Sequence, residues 1–318
     1  MKQYTVGSMF AGIGGICLAF KQNGCKIIWA NEVDKYACKT YRLNFGEDYL
    51  VEDDIQNLDV TTIPKMDILT AGFPCQAFSS VGLQKGFEDP RGNLFFETIK
   101  VINYVKPRVV FLENVANLIK HDKGKTFNRI KDTLNELGYH GAVKIMNAKS
   151  FGNIPQQRNR IYIVAFNNVD DLEKFTFPDE IPLVKTAFDL LDKDKKDKKY
   201  YMDNHRMWNR MMDYMTDRKR IYRFTDWGLS KGMEGICPTL LAAMGSRFER
   251  IPFFYDEYSV RLVTPRECAR LQGFPDDFRF TDKYEKQIYK QIGNSVCVPV
   301  VSRIANNIVR TLREVDNA

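Results

Sequence analysis

Short apolar runs alternate with amphipathic stretches through the first 165 residues, and few folds accommodate such a pattern. The strand candidates are Tyr4–Met9, Lys26–Ala30, Met66–Ala71, Arg108–Leu112 and Ile161–Phe166. Between them lie the helix candidates Ile16–Gln22, Lys35–Asn44, Phe95–Val105 and Lys125–Leu137. Apolar runs without strict alternation suit strands buried on both faces. Strand, helix, strand in succession predicts an α/β fold: a doubly wound, mostly parallel sheet with helices on both sides.

The pattern changes after about residue 175. Phe175-Thr-Phe-Pro178 reads as a break, and Asp192–Lys199 is a charge run that suits an exposed loop. Residues 185–250 hold fifteen Lys/Arg against ten Asp/Glu, so this stretch is locally basic. Tyr200, Tyr201, Trp208, Tyr214, Tyr222, Phe224 and Trp227 are interleaved with these charges, and helical periodicity fades beyond about residue 216. A second, smaller, irregular domain is expected there. Val300, Val301, Ile304, Ile308 and Leu312 then form a helical apolar stripe. We therefore expect a first domain over 1–186, completed by 286–318, and a second domain with its hinge over 187–285.

Composition narrows the class. With 44% apolar and 27% charged residues over 318, the chain is neither disordered nor fibrous. Seven cysteines are scattered without a Cys-x-x-Cys pair, and there are three histidines. Neither a disulfide framework nor a metal site is expected, and reduced thiols inside a cell are the natural reading. The net charge of +7 permits an anionic partner such as nucleic acid without requiring one. The uncharged stretch between Lys2 and Lys21 imitates a targeting signal, but Gly7, Gly12, Gly14 and Gly15 would weaken a helical signal core. No other run reaches the roughly 18 to 20 apolar residues that span a bilayer. The expected location is cytoplasmic.

The first strand candidate runs into Phe10-Ala11-Gly12-Ile13-Gly14-Gly15, and a helix follows. Glycines there let the backbone turn sharply and bring its N–H groups close to a ligand. Glu32 stands at the end of the second strand, where an acid can hold both hydroxyls of a ribose. Asp54, just past the next segment, can take the amino group of an adenine. The order Gly12-x-Gly14-Gly15 departs from the pyrophosphate cradle G-x-G-x-x-G, which favours a nucleoside without pyrophosphate. Spacing alone leaves both a dinucleotide and S-adenosylmethionine open.

Three further motifs fall at strand ends. Met66–Ala71 runs into Gly72-Phe-Pro-Cys-Gln76, placing Cys75 on a loop stiffened by Pro74. Such loops at the carboxyl ends of parallel strands are where open sheets place chemistry. The stretch to Gly92, with Ser79, Ser80, Gly82 and Gly86, can act as a lid. Glu113 follows the apolar run Val109–Leu112, and a shielded carboxyl there can share a proton. Arg158 and Arg160 alternate into a strand, which predicts both on one face, ready for an anion or a carbonyl oxygen.

Together these motifs resemble the cytosine carbon-5 DNA methyltransferases, particularly the small bacterial enzymes of restriction–modification type. The resemblance covers nearly the whole chain in the family's order. It includes Arg261–Pro275 and Gln291-Ile-Gly-Asn-Ser-Val296, and it departs at Asp53-Asp54-Ile55, where the family usually has Gly-Asp-Ile. It implies a Rossmann-like catalytic domain, S-adenosylmethionine as cofactor, no metal, and double-stranded DNA as partner. It further implies a protein acting as a monomer, with scope for a companion restriction endonuclease that forms no stable complex. By resemblance, Cys75 adds to carbon 6 of a flipped cytosine, Glu113 serves ring nitrogen 3, Arg160 holds the exocyclic oxygen, and Arg158 orients the cysteine loop or a phosphate. The carbonyl of Phe73 would accept from the exocyclic amine. Phe10, Ala11, Gly12, Ile13, Gly14, Gly15, Glu32, Val33, Asp54, Ile55, Gly72, Pro74, Leu94, Asn294, Ser295 and Val296 would line the cofactor. Gln76, Ser79, Thr239 and Arg247 would meet DNA. The alternative is a tRNA cytosine-5 methyltransferase of the same fold, although the Cys-Phe-Thr segment of that group is missing. A nicotinamide dehydrogenase fits neither the glycine order nor the Pro-Cys-Gln loop.

Overall fold

A computed structural model describes residues 2–73, 93–281 and 284–318. In chain order its elements are β1 (Thr5–Met9), α1 (Gly15–Gln22), β2 (Lys26–Glu32), α2 (Lys35–Phe45), β3 (Leu50–Glu52), β4 (Ile68–Ala71), α3 (Asn93–Val105), β5 (Val109–Val115), α4 (Lys125–Glu136), β6 (His140–Asn147) and α5 (Ala148–Gly152). There follow β7 (Asn159–Phe166), α6 (Val169–Lys174), α7 (Trp208–Tyr214), β8 (Arg220–Thr225), β9 (Gly228–Glu234), β10 (Phe253–Tyr255), β11 (Val260–Leu262), α8 (Pro265–Arg270), α9 (Glu285–Asn294) and α10 (Val298–Asp316). They gather into two compact units: Met1–Met146 with Asn159–Asp179 and Val300–Ala318, and Asn147–Arg158 with Glu180–Pro299.

The first unit is built on a seven-stranded sheet in the order β3-β2-β1-β4-β5-β7-β6. The pairs β2–β3, β1–β2, β1–β4 and β4–β5 are parallel. Strand β4 is buried at every residue, as an apolar run without alternation requires. Strand β7, by contrast, runs antiparallel to β5. It follows β6 after a connection whose only helix is the five-residue α5, too short for the usual crossover between parallel strands. The core beneath the sheet includes Trp29, Leu69, Phe95, Leu112, Ile130 and Ile163. Helix α10 buries Val300, Val301, Ile304, Ile308 and Leu312, the stripe read from the sequence. Its last turn meets the chain's beginning, where Tyr4 donates to Asp316 at 2.8 Å.

The second unit contains a four-stranded sheet in the order β11-β10-β8-β9, its pairs antiparallel. Helix α8 starts on a capping box: Glu267 accepts from the Thr264 N–H, and the Thr264 hydroxyl accepts from the Glu267 N–H. Among the described residues, no helix is long and apolar enough to cross a membrane.

Candidate functional site

The carboxyl ends of β1, β2 and β4 lie side by side, because Ser8 pairs with Ala30 and Met9 with Ala71. The chain leaves β1 through Phe10 at φ 52, Gly12 at φ 57 and Gly14 at φ 88. Positive φ costs a bulky residue more than glycine, so the Phe10 backbone stores strain at this edge. Gly14 has no alternative: a Cβ would sit 2.3 Å from the Phe45 ring. Beside Gly12 a Cβ would meet nothing within 4 Å, so open space adjoins the turn there.

Glu32 closes this turn. Its carboxylate accepts from the N–H groups of Gly12 at 2.8 Å and of Val33 and Asp34 at 2.9 Å each. Burial pushes the carboxyl above its ordinary range, while the three N–H donors pull the other way. A carboxylate offers about four acceptor sites, so capacity remains for a hydroxyl donor. Val33 beside it is 63% exposed, an apolar side chain left uncovered at the mouth of the turn. Asp54 caps the short turn Ile55–Asn57 by accepting from the Gln56 N–H at 3.0 Å, and Ile55 is buried. Buried Asn31, which the sequence reading passed over, donates to the carbonyls of Val51 and Asp53 and fixes the approach to Asp54. An acid with spare acceptors, an open glycine turn and an exposed apolar neighbour fit the ribose and adenine of S-adenosylmethionine.

Glu113 occupies the next strand end. Its carboxylate lies 3.1 Å from the Nε of Arg160, and the register of β5 and β7 places Val115 opposite Arg160. A Cβ on Gly72 would stand 3.7 Å from the same carboxylate. Buried Asn114, the next residue along, donates to the carbonyl of Phe73 at 3.0 Å. That carbonyl, which the sequence reading reserves for a cytosine amine, thus has one of its two lone pairs engaged by the protein. Phe73 packs on Phe95 with ring centroids 5.8 Å apart, and Leu94 stands partly buried in the first turn of α3. Pro74, Cys75, Gln76 and Ser79 lie outside the described residues.

Arg158 does not share a face with Arg160. Strand β7 begins at Asn159, so the expected alternation never reaches it. Arg158 is buried in the second unit, donating to the carbonyls of Leu240 at 3.0 Å, Gly293 at 3.4 Å, and Ser295. Gln156 beside it donates to the Leu271 carbonyl at 2.5 Å and accepts from the Leu240 N–H at 3.3 Å. Sequence motifs far apart in the chain therefore converge on this pair. Asn294 is exposed at the end of α9, Ser295 caps it, and Val296 is buried. The Thr239 hydroxyl donates to the Gln157 carbonyl. Arg247, mostly exposed, lies 3.4 Å from Asp226. Among the described residues, no cluster of His, Cys, Asp and Glu is poised for a metal.

Fold and sheet edge together define a Rossmann-like, S-adenosylmethionine-dependent methyltransferase with a smaller second unit. The family of C-5 cytosine-specific DNA methylases matches residues 4–310, and the chain belongs to it. It is an S-adenosylmethionine-dependent DNA (cytosine-5)-methyltransferase. Its relatives include the Type II methyltransferase M.Bsp6I of Bacillus sp. (strain RFL6), 44% identical over 312 residues, which span 96% of this chain and 99% of that protein. Another is the Type II methyltransferase M.HhaI of Haemophilus parahaemolyticus, 41% identical over 310 residues, covering 96% of this chain and 94% of that one. Among solved structures, the Entamoeba histolytica methyltransferase EhMeth superposes with a TM-score of 0.77 at 20% identity, over 98% of this chain and 99% of that one. The Dnmt2 methyltransferase of S. pombe gives 0.74 at 22%, with the same coverage. At that identity these two speak for the fold.

Proposed function

We propose that this chain is the modification enzyme of a restriction–modification pair, methylating carbon 5 of one cytosine within a specific duplex sequence. The carrying observation is the tie between Asn114 and the Phe73 carbonyl, with Gly72 beside the Glu113 carboxylate. It fastens the chain that leads into Pro74-Cys75 to the strand end that bears Glu113. The Type II naming of the relatives supports the biological setting.

The chemistry follows from residue types. The Cys75 thiolate bonds to carbon 6 of an extruded cytosine, and the displaced ring electrons move toward carbon 5 and nitrogen 3. Glu113 meets nitrogen 3 with a proton or strong hydrogen bond, and Arg160 holds the exocyclic oxygen while fixing Glu113. When bound, S-adenosylmethionine would supply carbon 5 with an electrophilic methyl from its sulfonium, the thioether S-adenosylhomocysteine remaining as the leaving group. Gly12, Glu32, Val33, Asp54 and Ile55 would hold that cofactor. Loss of the carbon-5 proton to water then restores the ring double bond as the carbon-6–sulfur bond breaks, its electrons returning to Cys75 as the thiolate. Arg158 acts as a positioning residue. Residues 187–285 would read the duplex, Thr239 and Arg247 among them. The enzyme would work in the cytoplasm as a monomer, its endonuclease partner acting separately.

The test is bisulfite sequencing of a plasmid expressing the chain. Protected cytosines confined to one sequence context are expected; uniform conversion would remove the proposal. A duplex with 5-fluorocytosine at the target should trap a covalent adduct, since fluorine cannot leave as a cation. Cys75→Ser should form none. An adduct with that variant would overturn the role of Cys75.

A further inference from the structure

Trp227 stands at the tip of the β8–β9 hairpin and is 98% exposed. An indole usually supplies a large apolar area to a core or an interface. Here it has no hydrogen-bond or ring partner among the described residues. The tip itself is firmly built. Thr225 pairs with Gly228 across the strands, the Thr225 hydroxyl donates to the Gly228 carbonyl at 2.9 Å, and it accepts from the backbone N–H of Trp227 at 3.3 Å. Gly228 takes φ 116, which a side chain would resist. The Asp226 carboxylate pairs with both Arg250 and Arg247. Phe248, between those arginines in the sequence, is 46% exposed. The turn is thus fixed from behind while the ring faces solvent.

We propose that Trp227 is a base-stacking residue, inserting its indole against a nucleobase of the bound duplex. The inference rests on the DNA-methylating reading above and extends it to a residue which that reading leaves unused. Two observations choose nucleic acid as the occupant. Arg247 and Arg250 pair with the neighbouring Asp226, and residues 185–250 carry fifteen Lys/Arg against ten Asp/Glu, which complements a phosphate backbone. An exposed aromatic face in a basic segment is also the chemistry that grips unstacked bases, because every base has a π-face. Enzymes that extrude a base leave a disrupted stack, where an aromatic wedge regains stacking.

Fluorescence tests this directly. The chain has three tryptophans, of which Trp29 is buried and Trp208 partly so. Subtracting the emission of Trp227→Phe from that of the wild type isolates the ring at 227. Titration with a duplex carrying the context found by bisulfite sequencing should quench that emission, and a scrambled duplex should quench it less. Trp227→Ala should bind the cognate duplex about tenfold to a hundredfold more weakly, while Trp227→Phe retains most of the affinity. Both variants should melt with the wild type, since no packing is lost. Methylation by the wild type is scored in the same samples. If the duplex is methylated while the emission stays unmoved and Trp227→Ala binds like wild type, this inference falls and the methyltransferase reading stands. If the wild type methylates no duplex, the parent reading falls first.

Discussion

Asn114 is the residue whose role was least visible beforehand and is most specific in the structure. Its amide N–H reaches the Phe73 carbonyl, while its Oδ1 accepts from the Val115 N–H at 2.8 Å. One side chain thereby ties the end of β5 to the stem of the Cys75 segment. Asn114→Ala should leave cofactor affinity near the wild-type value, because the Glu32 edge is untouched. The rate of methyl transfer in a single turnover should fall about tenfold to a hundredfold, the effect of misplacing a reacting group by roughly an ångström. Calorimetry with S-adenosylmethionine and quenched-flow transfer measure the two quantities. An equal loss in both would mean that Asn114 supports the unit as a whole rather than the nucleophile's approach.

At the scale of elements, burial decided what could be read. Strands β1, β2, β4, β5 and β7 lie in the sheet interior, and their residues form plain apolar runs. Strand β6 escaped notice because it is an edge strand: Val143 and Ile145 are exposed, and Lys144 lies between them. Strand β3 has three residues, too few to show a period. The second unit's sheet was hidden for another reason. Its interior holds a charged cluster, which no hydrophobic pattern announces. Arg261 is fully buried, paired with Asp256 at 2.9 Å and with Glu267 at 2.7 Å, under the Phe254 ring at 4.4 Å. The site divides the same way. The glycines and Glu32 were legible as a strand-end turn because backbone chemistry fixes such a turn. The destination of Arg158 was not, since its carbonyl partners lie 82 to 137 residues away. The buried cluster carries a stability prediction. Glu267→Ala leaves Arg261 charged and short of two hydrogen bonds, and should cost about 3–5 kcal/mol in urea unfolding. Replacing both by apolar residues, Arg261→Met with Glu267→Leu, should recover part of that loss. A double variant less stable than Glu267→Ala would show that the cluster contributes more than it costs to bury.

At the scale of the whole molecule, the first unit is discontinuous: its sheet comes from the chain's beginning, and α10 returns from its end. An electrostatic clasp joins the two ends beside the buried apolar stripe of α10. Asp316 accepts from Tyr4, Lys2 and Arg108, and Arg108 reaches on to buried Asp171 at 2.6 and 2.7 Å. The hydrogen bond from Arg108, ahead of those from Tyr4 and Lys2, holds the Asp316 carboxyl down to about 2. An unfolded aspartate titrates near about 3.9. Depression in the folded state means that the stabilisation is complete above the unfolded value and disappears as pH falls through about 2. Asp316→Asn should therefore melt below the wild type at pH 7, and the gap should narrow as pH drops from about 4 toward about 2. Calorimetric melting of both proteins at pH 7 and pH 3 measures the gap. A gap of equal size at both values would mean that the closure rests on packing by α10 and not on the charge at its end.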